Sequence, residues 1–240
     1  MATNFAENLN QIYMEPVYFR IIGIGSATKD AVKTLKEKSL VATEVTLAEH
    51  SNDITPRPDD RMVILMAEKA TEEFKTIARR FLESDVLTLA VVSEVMDNPE
   101  KIVNSYTVKP LEEFAETAGI LMSVIIDSPL VNLDYHDLWS VMSISSRFYI
   151  SKASAGGVGR VKKAIEDADK KLGNVMSTVR FIMVLYMNRD SPTPLRMNEI
   201  PAITDYIAKF PHTDVAWGVY FANSLPDDKI EIAIISAGIN

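Results

Sequence analysis

The chain has 240 residues, 47% of them hydrophobic, a formal net charge of −8 and no cysteine. That much apolar material can bury a real core, as one large domain or two small ones. The acid balance, with a pI near 5.0, argues against nucleic acid and against anionic lipid as partners, and the missing cysteines exclude disulfides, thiolate chemistry and thiolate zinc sites. His50, His136 and His212 lie far apart without ligand spacing, so no metal site is expected. The apolar runs Val86–Val92 and Ile120–Ile126 are too short to span a bilayer, and Met1–Glu15 lacks the apolar core of a secretion signal. A soluble, cytoplasmic protein is expected.

In chain order, Tyr18–Gly25 reads as a buried strand ending in a turn, followed by a helix from about Thr28 to Lys38. A short extended piece, Glu44–Leu47, leads into the polar loop Asn52–Asp60. Arg61–Ala67 is an apolar strand. Thr71–Glu83 places Phe74, Ile77, Ala78, Phe81 and Leu82 on one helical stripe, and Val86–Ser93 is a second continuous apolar strand. Strands apolar throughout and alternating with helices predict a parallel sheet covered on both faces.

A short extended piece, Tyr106–Val108, precedes a helix over Pro110–Asp127 with Leu111, Phe114, Ala118, Leu121, Met122 and Ile125 as its apolar stripe. Asp127-Ser128-Pro129 ends it, because the residue before proline avoids helical angles. The second half opens with a short helix from Asp134, then a strand over Arg147–Ser154 and the break Gly156-Gly157. The next helix is predicted to turn Val158, Val161, Ile165, Ala168 and Leu172 inward and Arg160, Lys163, Glu166 and Lys170 outward. Val179–Met187, Val215–Phe221 and Ile230–Ser236 read as strands and Asn198–Phe210 as an amphipathic helix, which suits a mixed sheet packed by helices.

One stretch stands out. Asn132-Leu133-Asp134-Tyr135-His136-Asp137 follows the long helix and precedes Leu138–Met142, giving Asn-x-Asp-x-x-Asp at a helix start. That pattern resembles the co-catalytic loop of tubulin-like proteins, closest to the bacterial division protein FtsZ. The likeness extends through Ile150–Lys171, Val215-Ala216-Trp217-Gly218, Asp228–Ile232 and Ser236-Ala237-Gly238, the last similar to the family's closing Ala-Thr-Gly. It covers residues 110 to 240 well and 18 to 95 loosely. The resemblance implies an α/β architecture: a Rossmann-like parallel-sheet domain over 1–109, a central helix over 110–127, and a smaller mixed-sheet domain over 128–240. It also implies that Asn132, Asp134 and Asp137 act in trans, in the nucleotide pocket of a neighbouring subunit, where carboxylates orient water near a γ-phosphate. The residues have a plainer reading too: Asp134 as N-cap, Asp137 at the reciprocal capping position and Asn132 in the turn.

The chain departs from the family at the phosphate loops, which need glycines so that backbone N–H groups can converge. The first loop reads Gly23-Ile24-Gly25-Ser26-Ala27-Thr28-Lys29-Asp30, equally a tight strand-to-helix turn capped by Ser26 or Thr28. The family's Gly-Gly-Gly-Thr-Gly-Thr-Gly is replaced by Ala67-Glu68-Lys69-Ala70-Thr71-Glu72-Glu73-Phe74, where each uncompensated carboxylate costs about 1 kcal/mol or more against a phosphate. Glu112 falls where the family reads the guanine edge, and the loops over the sugar are shortened between Val92 and Pro110. GTP or GDP is therefore disfavoured, and the chain reads as a degenerate GTPase. If a nucleotide binds, Gly23, Gly25, Ser26, Asp30 and Glu112 would hold it. The expected role is head-to-tail association with itself or with an FtsZ-type subunit. The alternatives are a divergent GTPase of cell division and an unrelated small-molecule enzyme, for which no nucleophile–histidine pair is seen. With no residues after Asn240, the tail that recruits membrane adaptors is not expected, nor is direct membrane binding.

Overall fold

The computed structural model describes residues 19–97, 101–126, 133–173 and 178–238. Strands β1 (Phe19–Ile24), β2 (Thr43–Ala48), β3 (Met62–Ala67), β4 (Leu87–Val92) and β5 (Ser105–Val108) form one sheet, all parallel, in the order β2-β1-β3-β4-β5. Every residue of β3 and β4 is buried, because helices cover both faces, and the one polar side chain among them, Thr88, donates to the Val86 carbonyl at 2.9 Å. Alternate residues serve alternate cores. Ile21, Met62, Ile64 and Met66 pack against α1 (Lys29–Glu37) and α3 (Phe114–Ile126), while Ile22, Val63, Leu65 and Ala67 pack against α2 (Glu72–Glu83).

The second sheet contains β6 (Phe148–Gly156), β7 (Thr178–Met187), β8 (Asp214–Phe221) and β9 (Lys229–Gly238), ordered β6-β9-β7-β8. β9 runs antiparallel to both neighbours, and β7 and β8 are parallel. The segment after Phe221 joins β8 to β9, yet the two strands do not pair, since β7 lies between them. One face of this sheet shares the core of α3 through Phe148, Ile150, Ile182, Val184 and Ile235. The other packs under α5 (Arg160–Leu172) and α6 (Ile200–Ile207). The long helix begins as a 3-10 turn, Leu111–Glu113, and its end at Asp127-Ser128-Pro129 lies outside the described residues. Among the described residues, no helix is long and apolar enough to cross a membrane.

The periodicity of α5 misleads at its start. Val158, predicted inward, is wholly exposed, and Arg160, predicted outward, is 4% exposed. Two left-handed glycines, Gly157 and Gly159, swing the chain so that α5 starts only at Arg160. The guanidinium is then fully engaged. Nε and one terminal nitrogen donate to the two Glu199 carboxylate oxygens at 2.9 and 3.1 Å. The remaining N–H groups reach the carbonyls of Thr193, Pro194 and Asp228 at 2.9, 3.0 and 3.1 Å. One side chain thus ties α5 to the loop before α6 and to the turn before β9, with the planar geometry that only arginine offers.

Replacing Arg160 by methionine is expected to remove about 3 kcal/mol of stability in urea titration, the low end for a buried pair because Glu199 keeps some contact with water. Burial pushes the Glu199 carboxyl up, but the hydrogen bonds from Arg160 and the Arg196 amide outweigh it and hold it below the ordinary glutamate value. A lowered folded-state pKa stabilises above the unfolded value of about 4.3 and is lost as pH falls through the folded one. Stability should therefore decline on acidification below that pH, and Glu199→Gln should flatten that limb of the curve.

Candidate functional site

Strand order reverses at β1, with β2 on one side and β3 on the other. In open parallel sheets, ligands sit outside the carboxyl ends of the strands at such a reversal. The crevice here is walled by the turn after β1 and the loop after β3. A phosphate cradle requires amides free to point inward. Four amides on the loops around the crevice are bonded within the protein. The Thr28 amide donates to the Gly25 carbonyl at 3.2 Å, Thr71 to Lys69 at 2.9 Å, Ser93 to Glu68 at 3.1 Å and Lys109 to Val92 at 2.8 Å. Thr71 caps α2, its hydroxyl accepting from the Phe74 amide at 3.3 Å.

The side chains around the crevice are acidic. Glu68, Glu72 and Glu73 are exposed, with Glu72 and Glu73 in the first turn of α2, where the helix dipole favours them. The hydrogen bond from Lys75 holds the Glu72 carboxyl below its ordinary value, so it stays ionised at neutral pH. Lys69 is paired with Glu94 at 2.9 Å, which raises its own pKa.

The predicted nucleotide positions divide by environment. Gly25, Ser26 and Asp30 are exposed at the crevice. Gly25 has φ +83° and open space where a Cβ would stand. Gly23 is buried, and a Cβ there would lie 2.5 Å from both Thr28 Oγ1 and Val32 Cγ2, so this glycine lets α1 approach β1. The Thr28 hydroxyl, expected as a cap, donates instead to the Gly25 carbonyl at 2.9 Å, and the start of α1 carries no side-chain cap. Glu112 is exposed in the 3-10 turn before α3.

Asp134 and Asp137 lie at the opposite end of the parallel sheet. They open α4 (Tyr135–Met142), whose Tyr135 hydroxyl donates to the Arg61 carbonyl at 3.0 Å and whose ring meets Phe19, both at the amino ends of strands. Six-residue strands rising about 3.3 Å per residue separate the two poles by roughly 20 Å. Asp134 accepts from the His136 and Asp137 amides at 2.7 and 3.0 Å, and Asp137 accepts from the Asp134 amide at 3.0 Å, a reciprocal capping box. Asn132 lies outside the described residues. Beside the box, Trp139 is 43% exposed and stacks on His136 at 6.0 Å. The sequence carried a signal for Trp139. Leu138, Val141 and Met142 form the inward stripe of α4, and Trp139 lies off it. Asp137 also lines a cavity of about 370 Å³ with Ser140, Arg180 and Asp214, where Arg180 pairs with Asp214 at 2.8 Å; nothing in the local pattern announced this grouping.

No protein-family model matches the sequence, and no curated protein does. Solved structures match its fold from end to end. An FtsZ variant from M. jannaschii superposes with a TM-score of 0.77 at 13% identity, over 99% of this chain and 96% of that one. A GTPγS-form protofilament of TubZ from Bacillus thuringiensis serovar israelensis gives 0.61 at 10% identity, over 98% and 90%. GDP-bound CetZ1 from Haloferax volcanii gives 0.61 at 11% identity, over 93% and 95%. The chain has the tubulin/FtsZ-like fold.

The capping box makes a prediction that separates shape from charge. Asp134→Ala should lower stability by about 1 kcal/mol through loss of the cap, while Asp134→Asn, a cap of similar strength, should change it little. Equilibrium denaturation of the two variants checks this. Gly23→Ala should cost about 1–3 kcal/mol, because Thr28 and Val32 must both yield to the new methyl.

Proposed function

We propose that the protein is a tubulin-like assembly module of the cytoskeleton that associates head to tail and does not turn over GTP itself. The observation behind this reading is the polarity of the fold. A crevice with an acidic rim, several of whose neighbouring loop amides are bonded within the protein, stands at one pole, and the Asp134–Asp137 box stands at the other. A residue about 20 Å from its own crevice can serve only a neighbour's. The known structures of this fold include an FtsZ dimer and a TubZ protofilament, so contacts of this kind suit the architecture. In a partner's pocket the two carboxylates position water against a γ-phosphate. The partner is a second copy or an FtsZ-type subunit, and the module caps or modulates a filament. Heterologous contacts that do not close build open filaments, and a subunit lacking one competent face ends them.

The test is co-sedimentation with a GTP-competent FtsZ-type protein, with GTP turnover followed in parallel. The wild-type chain should enter the pellet and alter the turnover rate. The Asn132→Ala, Asp134→Asn, Asp137→Asn triple variant, which keeps a capping side chain at the start of α4, should lose the effect on turnover. If the variant matches the wild type in both readouts, the reading fails. The open space and left-handed backbone at Gly25 leave room for a second reading, a divergent nucleotide-binding protein. Calorimetric titration with GTP and GDP should give no micromolar binding, and finding it would transfer the chain to that second reading.

A further inference from the structure

Two exposed clusters, one at each pole, carry charge of the same sign. At the crevice pole Glu68, Glu72, Glu73, Glu94 and Asp97 are exposed against Lys69 and Lys75, a net charge of −3 for this group. Around α4, Asp134 and Asp137 stand with Asp85 against Arg61, a net charge of −2, and both Arg61 and Asp85 act electrostatically on Tyr135. The nearby Arg180–Asp214 pair is neutral. Stacking one copy on another would press these groups together. Like-charge juxtaposition across an interface costs several kcal/mol in the worst cases and slows encounter. Exposed charges within a Debye length of about 10 Å at 0.1 M salt still feel one another. The exposed large apolar side chains at the poles are few: Trp139, Ile144 and Val41 at the amino pole and Val95, 67% exposed, at the other.

We infer that the α4 pole is built for a subunit other than a second copy of this chain: a tubulin-like partner whose crevice rim is neutral or cationic. The acidic crevice then disfavours self-stacking and leaves the chain as a terminal subunit. This rests on the docking role given to Asp134 and Asp137 above. The test is sedimentation velocity of the full chain at ionic strengths of about 0.02 M and 0.5 M. The wild type should remain monomeric at low salt and associate more as salt rises. Glu68→Lys with Glu73→Lys turns the crevice group from −3 to +1. That variant should self-associate at low salt, with a dissociation constant lowered about tenfold or more, and should come apart as salt rises. Adding Asp134→Asn and Asp137→Asn should reverse the gain. Tight wild-type association at low salt that weakens with salt overturns the inference. So does a charge-reversed variant that stays monomeric, or one whose gain survives the two asparagines. Success in co-sedimentation with the GTP-competent partner alongside any of these results leaves the assembly role standing and removes only the exclusion of a second copy.

Discussion

Helix α3 is buried on most of its circumference, and the rest of the molecule is arranged by that fact. Eight of its thirteen residues are buried, so no single apolar stripe describes it; it needs cover on two sides. The parallel sheet and α1 supply one side, and β6, β9 and β7 supply the other, within one continuous cluster. Its backbone is pinned as well, the Tyr220 hydroxyl donating to the Val124 carbonyl at 2.9 Å and Ser123 meeting the Tyr186 hydroxyl at 2.6 Å. Lys152 of β6 joins Glu116 of α3 at 2.6 Å and Glu231 of β9 at 3.1 Å. Thirteen residues at 1.5 Å each run about 20 Å, the length of a six-residue strand. α3 therefore carries the chain from the carboxyl pole, where β5 ends, back to the amino pole, where α4 begins. The placement of Asp134 opposite the crevice follows from matched element lengths and does not depend on any feature of the loop itself.

How much of this the residues announced depends on the range over which each feature is decided. β3 and β4 were readable because burial on both faces leaves them almost wholly apolar, and the α4 box because Asp134 and Asp137 satisfy amides only two and three positions away. The position of β9 between β6 and β7 was not readable: all three strands offer apolar side chains to the core, and pairing is chosen by packing across the whole half. Arg160 fails for the same reason in sharper form. An arginine on an amphipathic helix belongs outside unless a partner awaits it, and its partner Glu199 stands 39 residues away. The glycine at position 23 could be read as a phosphate loop or as a packing contact, and only the distance to Thr28 and Val32 shows how α1 uses it.

The crevice shows a competition between holding a ligand and holding the fold. Free amides at a helix start and unpaired carbonyls in a glycine loop are unsatisfied until a ligand arrives. In this chain several such groups are satisfied from within. Thr71 caps α2, Glu72 and Glu73 sit in the favourable field of its first turn, and the loop amides bond to neighbouring carbonyls. Each such contact contributes on the order of 1 kcal/mol to folding and withdraws a donor from any phosphate.

That competition also explains why the fold tolerates so different a set of loops. The apolar core that holds the sheets to α3 lies between the poles, so a change of charge at either end leaves it intact. Electrostatics at the poles then acts on association alone. Exposed like charges shift the affinity between subunits while costing the single subunit little, since each is solvated when alone. On the proposed assembly, a few surface carboxylates would decide between extending a filament and ending one. The carboxylates that would do so here, Glu68 and Glu73, are exposed, one on a loop and the other on the first turn of a helix.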